Sequence, residues 1–243
     1  MVCSERHGAR RAPQLVLLAF IAAEPREFSG FLPYVASLAP TQLPVRWSRR
    51  GKWKNHTVRL IANGAGPKQS AEAARVCDDS AAIINTGFCG ALDSDLKIGD
   101  VIVADRVFFS TQMFDCRSVT TSVNYRHGAI CSSAWIAATA DEKRQLRRSG
   151  AIAVEMEAGG IIPYAEDRGL PFFCVRTVSD LAGESFSNDF NAALGPDGRY
   201  RMGRLIGSAL MQPHRRFPEL IRLKRRCDLA AVRLGDFLDS CSF

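Results

Sequence analysis

The sequence lacks two features that would each point to a well-defined class of protein. None of its eight cysteines forms a Cys-x-x-Cys pair, so we expect neither a zinc site nor a disulfide framework. It also lacks a transmembrane pattern near its N-terminus, because the apolar run at 15–23 is too short to cross a bilayer and is followed at once by Glu24. We therefore expect a cytoplasmic protein with reduced thiols and without a metal ion.

A basic groove is missing too, although the formal net charge is +7. Residues 1–13 carry three arginines against one glutamate, and residues 213–243 carry seven Lys or Arg against four Asp or Glu. These two ends supply five of the seven excess positive charges, so the body of the chain is nearly neutral. The distribution of charge therefore disfavours nucleic acid as a partner.

What remains is the composition of an ordinary globular domain, with 47% hydrophobic and 23% charged residues in a chain of 243. We predict a disordered extension over 1–13, a single α/β domain over 14–212 and a basic amphipathic helix over 213–243. The helix is predicted from apolar residues that recur at spacings of three and four, namely Leu220, Leu223, Cys227, Ala230, Leu234 and Phe237. We expect it to pack on the domain or on a partner subunit, with a membrane surface as the alternative.

The stretch 151–180 has the pattern of two strands joined by a helix. Its length and its breaking Gly and Pro residues suggest that the two strands are parallel. Glu155 and Glu157 follow the first strand, and Asp180 ends the second. Because open α/β sheets bind ligands at the carboxyl ends of their strands, we expect a shared site there. A carboxylate in such a site accepts hydrogen bonds from hydroxyls or, when protonated, acts as a general acid.

Several motifs together carry a family resemblance. Val-Glu-Met-Glu-Ala at 154–158 is followed by Pro-Phe and then Val-Arg-x-x-Ser-Asp-x-Ala within 171–182, and Asn-Thr-Gly-x-x-Gly-x-Leu occurs at 85–92. The combination resembles the methylthioadenosine/S-adenosylhomocysteine nucleosidases of the purine nucleoside phosphorylase superfamily. The resemblance extends over roughly residues 15–210. It implies a single-domain, three-layer αβα fold with a central mixed, partly barrel-like sheet, and a homodimer that acts on a purine nucleoside without a cofactor.

The resemblance also implies a role for individual residues. Asp180 would protonate N7 of adenine, and Glu27 would aim the attacking water. Glu157 would hold the ribose hydroxyls, with Met156 against the sugar, while Glu155 and Arg176 would support the site without touching the substrate. The remaining substrate-binding residues implied by the resemblance are Phe88, Cys89, Gly90, Trp135, Ile136 and Ser179, with Trp135 stacking on the base in place of a Phe.

Four of these residues also have plainer explanations. A Ser-Asp pair such as Ser179-Asp180 after a strand is often a turn or a helix cap. Glu27 could simply complement a helix dipole, and Trp135 could be an ordinary core residue. The sequence leaves both sets of explanations open.

The sequence departs from the family at several positions. Phe88 and Cys89 stand where small residues are usual, and the connection 110–127 is shorter than the one that builds the rim and subunit contact in the relatives. Phosphorylases generally carry an Arg just before Gly87 to hold phosphate, whereas this chain has Asn85-Thr86 there. A phosphate dianion without a bidentate Arg is poorly bound, so we expect water as the nucleophile.

We therefore predict an enzyme that hydrolyses the N-glycosidic bond of adenine nucleosides with a modified 5′ position and releases adenine. Three alternatives stay open. The first is a hopanoid-associated nucleosidase or phosphorylase that removes adenine from an adenosyl lipid. The others are a phosphate-dependent purine nucleoside phosphorylase and a nucleoside-binding module that has lost turnover.

Overall fold

The computed structural model describes residues 16–243, so the extension predicted over 1–13 lies outside the described residues. The strands are β1 Val16–Ala22, β2 Ala36–Pro40, β3 Trp47–Trp53, β4 His56–Ala62, β5 Ala82–Ala91, β6 Val101–Phe109, β7 Gln112–Asp115, β8 Arg126–Ser132, β9 Ala153–Glu155 and β10 Phe172–Asp180. The α-helices are α1 Pro67–Ala74, α2 Ala140–Arg147, α3 Ala158–Asp167, α4 Phe190–Ala193, α5 Met202–Met211 and α6 Pro213–Ser240.

The sheet closes on itself around β5, the longest strand described. β5 pairs with β1 and with β10 in parallel, and its last two residues pair with β9 in an antiparallel ladder. The ring continues from β10 through β6 and β8 to β9, which makes a barrel of five strands. Strands β1, β4, β3 and β2 extend the sheet on the other side of β5. The predicted mixed and partly barrel-like sheet is confirmed.

Helices cover the sheet on two sides. Apolar residues of α1 and α3, such as Ala73 and Ile161, share one core with the sheet, and Leu234 and Phe237 of α6 share the other. Burying a strand on both faces requires near-continuous apolar sequence, which explains why β1 is apolar throughout and why β5 begins with Ala-Ile-Ile. Within the described part of the chain, no helix combines the length and the apolar character needed to cross a membrane.

The predicted parallel arrangement of the two strands within 151–180 is wrong. β10 runs parallel to β5, whereas β9 runs antiparallel to it, so β9 and β10 have opposite senses and are not neighbours. The reason is the closure of the barrel, since β9 is only three residues long and fills the gap between the end of β5 and β8. Both strands nevertheless deliver their acidic residues to the same cavity.

A close contact between two backbones places α6 against the loop at Gly30. A Cβ atom on Gly235 would lie 2.0 Å from the carbonyl carbon of Gly30, and a Cβ on Gly30 would lie 2.1 Å from the oxygen of Ala231. Such distances leave no room for a side chain on either residue. Gly30 follows the 3₁₀ helix Pro25–Phe28 that carries Glu27, so this contact fixes α6 next to an element of the predicted site.

We expect Gly235→Ala to destabilise the protein by about 1–3 kcal/mol, because its methyl group has to push two backbones apart. The matched control is Gly207→Ala in α5, where an added Cβ meets no atom within 4 Å. This second change should be neutral or stabilising by about 0.5–1 kcal/mol through a better helix propensity. Thermal unfolding of both variants tests the contact, and equal melting temperatures would show that α6 does not approach Gly30 this closely.

Candidate active site

A cavity of about 760 Å³ lies where β1, β5, β9 and β10 end. Helices α5 and α6 and the segment after β10 form its other walls. All of the residues that the sequence singled out line this cavity except Arg176, which lies behind the wall: Glu27, Phe88, Cys89, Gly90, Trp135, Ile136, Glu155, Met156, Glu157, Ser179 and Asp180. Residues far apart in sequence therefore meet in one place.

Glu27 is held by the backbone on two sides. Its carboxylate accepts hydrogen bonds from the N–H groups of Glu24 at 2.8 Å and of Phe88 at 2.9 Å. Burial raises the pKa of Glu27, while these hydrogen bonds and Arg176 oppose the rise. The two anchors leave the carboxylate little freedom of movement at the edge of the cavity.

Gly87 permits this arrangement because it has no side chain. A Cβ at this position would lie 2.6 Å from Oε1 of Glu27 and 2.8 Å from Nη1 of Arg176. The residue also has a φ of 139°, which favours glycine. The glycine of the Asn-Thr-Gly motif thus lets a carboxylate and a guanidinium approach the same strand.

Arg176 is fully buried and joins the acidic residues into one network. Its guanidinium contacts the carboxylate of Glu155, lies 3.3 Å from Oε2 of Glu157, and donates to Oδ1 of Asn85 and to the carbonyl of Thr86. Glu155 in turn accepts hydrogen bonds from the N–H groups of Glu157 and Ala158 at the start of α3. Arg176 and Glu155 consequently hold the N-terminus of α3 and the carboxylate of Glu157 in place.

Glu157 lies at the N-cap of α3 with its side chain in the cavity wall. Its Oε1 accepts a hydrogen bond of 3.2 Å from the N–H of Gly66, and its carbonyl accepts one of 2.8 Å from the hydroxyl of Ser70. Burial raises the pKa of Glu157, Arg176 opposes the rise, and the nearby Glu155 and Glu27 add to it. A buried carboxylate with spare acceptor capacity is suited to binding hydroxyl groups.

Asp180 ends β10 and depends on two small neighbours. Oδ2 lies 3.0 Å from the hydroxyl of Ser179, which also lies 3.2 Å from the carbonyl of Cys89. A Cβ on Gly90 would lie only 2.9 Å from Oδ1, so the glycine at this position is needed for the carboxylate to sit where it does. Asp180 therefore faces the cavity from a defined position.

Sequence reasoning missed Lys143, which lies on α2 and is almost completely buried. Its ammonium contacts Oδ1 of Asp180, donates a hydrogen bond of 2.8 Å to the carbonyl of Leu181, and lies 5.4 Å from the ring centre of Phe186. Burial raises the pKa of Asp180, and Lys143 opposes that rise. The capping box of Thr139 and Glu142 could have located the helix, but no local signal separates Lys143 from the exposed Arg144 beside it.

The segment 133–137 forms a further wall of the cavity. Trp135 is 52% exposed and lines the cavity, so the core explanation for this residue does not hold. The backbone of Ile136 makes two hydrogen bonds of 2.9 Å with the amide of Asn191, one as donor and one as acceptor. A ligand with a donor and an acceptor side by side, as on the edge of an aminopurine, would make the same pair of bonds once Asn191 moved aside.

Helix α6 contributes the apolar wall of the cavity. Leu220, Leu223 and Cys227 of the predicted stripe line it, together with Ile221 of α6 and Met202 of α5. The remaining residues of the stripe, Ala230, Leu234 and Phe237, are buried against the domain. The stripe thus contacts the sheet at one end of the helix and borders the cavity at the other.

Polar contacts tie α6 to the segment that follows β10. The buried carboxylate of Glu219 accepts hydrogen bonds of 2.8 Å from the N–H groups of both Ser187 and Asn188. Arg226 pairs with Glu184 at 2.6 Å. Because these contacts are partly or fully buried, the segment 184–188 and α6 cover the cavity as a connected unit.

Comparisons with known proteins agree with the fold. The sequence profile described as "Phosphorylase superfamily" matches residues 48–126 and 116–206, which is more than half of the chain. The 5′-methylthioadenosine/S-adenosylhomocysteine nucleosidase of Tolumonas auensis is 25% identical over 178 residues, which are 60% of this chain and 77% of that protein.

Two solved structures of such nucleosidases superpose on nearly the whole chain. The enzyme from S. pneumoniae with the transition-state inhibitor MT-ImmA has a TM-score of 0.70 at 19% identity, over 93% of this chain and 97% of that one. A Helicobacter pylori mutant with 5′-methylthioadenosine in its active site has a TM-score of 0.71 at 16% identity, over 93% and 98% of the two chains. At such identities the superpositions show the fold, and they confirm the expected nucleoside phosphorylase-like architecture.

We expect Lys143→Met to raise the pKa of Asp180 further, because it removes the cation that stabilises the carboxylate and leaves the burial that favours the carboxyl form. The measurement is an NMR pH titration of the carboxyl ¹³C resonance of Asp180. That resonance is identified by its absence from spectra of Asp180→Asn. Arg144→Met is the control, since Arg144 is an exposed residue of the same helix that pairs with Asp141. An unchanged titration in Lys143→Met would show that the two groups do not interact.

Proposed function

Because this chain belongs to the phosphorylase superfamily, we propose that it hydrolyses the N-glycosidic bond of adenine nucleosides with a modified 5′ position and releases adenine. The observation that carries the proposal is the convergence of Glu27, Glu157 and Asp180 on one cavity from three separate parts of the fold. The names of the relatives support it, since the matched proteins are methylthioadenosine/S-adenosylhomocysteine nucleosidases.

The reaction needs a protonated leaving group, a stabilised sugar and a positioned nucleophile, because its transition state resembles an oxocarbenium ion. In our proposal, Asp180 gives a proton to N7 while the C1′–N9 bond breaks and its electron pair passes to the purine. Water attacks C1′ and gives a proton to the carboxylate of Glu27. Glu157 holds the ribose hydroxyls, with Met156 against the sugar.

Burial and Lys143 act in opposite directions on the pKa of Asp180. Burial favours the carboxyl form, which can donate to N7, whereas the ammonium of Lys143 contacts the carboxylate directly and favours the ionised form. A general acid works best with a pKa near the operating pH, and the opposing effects of burial and Lys143 tune Asp180 for that purpose.

The base would lie between Trp135, Phe88 and the backbone of Ile136. Trp135 offers an exposed ring face for stacking, and the donor and acceptor of Ile136 match the edge of adenine. Cys89 and Gly90 would form the wall beside Asp180, and Ser179 would orient the acid. Asn191 has to leave Ile136 when the base enters.

Electrostatics favours water over phosphate as the nucleophile. A phosphate dianion next to Glu27 would meet two acidic side chains, Glu27 and Glu157, instead of a cation that could pair with it. Arg176 is behind the wall and already paired, and Arg26 pairs with Glu24 at 2.7 Å. A neutral nucleophile is bound there without such a conflict.

We also propose that the enzyme is a homodimer in the cytoplasm. The support for the dimer is the family resemblance. Support for the compartment comes from the seven cysteines of the described chain, which are all free and mostly buried, as suits a reducing environment.

We expect Asp180→Asn to lower adenine release from methylthioadenosine by about 10²–10⁴-fold, the range typical of general acid catalysis. Asp167→Asn is the control, because this carboxylate is exposed and remote from the cavity. The single variant leaves the Lys143 ammonium without its partner and so also loses stability. Thermal unfolding and the double variant Asp180→Asn/Lys143→Met separate folding from catalysis, and full adenine release by a folded Asp180→Asn protein contradicts the assignment.

Adenine release should not depend on phosphate. The measurement compares rates with and without phosphate and identifies the sugar product, which we expect to be the free sugar. A sugar 1-phosphate as the product would rule out the hydrolytic reaction.

A second candidate function is the release of adenine from an adenosyl lipid. The specific observation in its favour is the apolar wall that α5 and α6 build from Met202, Leu205, Leu220, Ile221 and Leu223. Comparing kcat/KM for 5′-alkylthioadenosines of increasing chain length distinguishes the two candidates. A steady increase with chain length supports the lipid, whereas an optimum at the methyl group supports the small thioether.

A further inference from the structure

Helices α5 and α6 present apolar side chains to solvent at and beside the cavity mouth. Leu205 and Ala209 of α5 are buried, whereas Met202, Ile206, Leu210, Met211 and, on α6, Ile221 are 47–82% exposed. We call these five exposed residues the α5–α6 face. Single exposed apolar residues are common, but successive turns of one helix rarely all expose large ones without a partner.

Positive charge is concentrated in the same part of the chain. Residues 199–228 contain eight arginines and Lys224, against two acidic residues, Glu219 and Asp228, of which Asp228 is exposed and pairs with Lys224. Glu219 is buried and occupied by hydrogen bonds from Ser187 and Asn188, so it does not offset this charge at the surface. Seven of the nine cations are exposed: Arg199, Arg201, Arg204, Arg215, Arg222, Lys224 and Arg225.

A surface groove on α6 contains both apolar and positively charged side chains. It is lined by Pro218, Ile221, Arg222, Arg225, Arg226 and Leu229. Two exposed guanidinium groups thus lie beside exposed apolar side chains. This combination suits a phosphate-bearing headgroup next to a hydrocarbon chain, because arginine binds phosphate oxygens while the apolar residues cover the chain.

We propose that the α5–α6 face binds the surface of an anionic lipid membrane. A second copy of the chain fits less well, because self-pairing would set these cations against an identical set. Nucleic acid would use the arginines but would leave Ile206, Leu210 and Met211 uncovered. On a membrane, the arginines meet anionic headgroups and the apolar side chains enter the boundary between headgroups and acyl chains.

The position of the face gives this binding a consequence. Met202 and Ile221 belong both to the face and to the lining of the cavity, so the cavity mouth would lie next to the bilayer. A nucleoside with an apolar 5′ group could then enter from the membrane without crossing water. The membrane-binding proposal stands independently of the reaction proposed above.

Flotation of the full-length protein with phosphatidylcholine vesicles, with and without phosphatidylglycerol, tests the proposal. We expect binding only to the anionic vesicles at about 0.1 M salt, with a marked loss at higher salt, where the charges are screened over a shorter distance. Ile206→Ser/Leu210→Ser and Arg222→Gln/Arg225→Gln should each weaken the binding about tenfold or more. The control is Met113→Ser/Arg50→Gln, which changes an equally exposed Met and Arg outside α5 and α6.

Four results would overturn the proposal. The first two are a lack of binding to anionic vesicles and binding that neither double variant weakens. The third is that single-stranded DNA displaces the vesicles and binds the Ile206→Ser/Leu210→Ser protein as well as the unaltered one. The fourth is a dimer that Ile206→Ser/Leu210→Ser converts to a monomer. Adenine release from a small nucleoside should be unchanged in both double variants, since none of the four residues lines the cavity. If the unaltered protein releases no adenine, the proposed reaction is wrong, and the result with vesicles still stands.

Discussion

The fully buried guanidinium of Arg176 is the interaction on which the rest of the site depends. Glu27, Glu155 and Glu157 approach one another inside the protein, where three carboxylates without a cation would repel and would lack solvation. Burial lowers the pKa of Arg176, and the carboxylates of Glu155 and Glu157 more than reverse this effect. One fixed charge therefore allows the 3₁₀ helix after β1, the N-terminus of α3 and strand β5 to meet.

Two glycines are a geometric condition for this meeting. Gly87 leaves room for Glu27 and Arg176, and Gly90 leaves room for Asp180. Both lie on β5, the strand that pairs with three others and closes the barrel. The central strand of the barrel is thus also the strand whose glycines leave room for charged groups. Both glycines belong to the motif at 85–92, which explains how that motif contributes to the site.

Asp180 is controlled by a different cation. Lys143 reaches it from α2, whereas Arg176 pairs with Glu155 and Glu157, so the two groups of carboxylates have different cations as partners. Around Glu27 and Glu157, three acidic side chains share the single cation Arg176, which agrees with the neutral nucleophile and the ribose hydroxyls that we propose for this end of the site. At Asp180, burial favours the carboxyl form and one ammonium favours the carboxylate. The division of roles that we propose follows from where the two cations are buried.

The sequence by itself determined the shared location of Glu157 and Asp180, because both stand at the ends of apolar strands, and the fold class and the position of Glu27 through motifs that resemble one family. Only the tertiary structure decided the opposite senses of β9 and β10, since barrel closure depends on pairing between distant strands. It also decided the burial of Lys143, which stands in a charged run, Asp141-Glu142-Lys143-Arg144, that resembles any solvated helix face. The same holds for α6: its apolar stripe predicted a packed helix, but a stripe does not specify what it faces. Periodicity records which side of an element is apolar, whereas the contact made by that side is set by long-range packing.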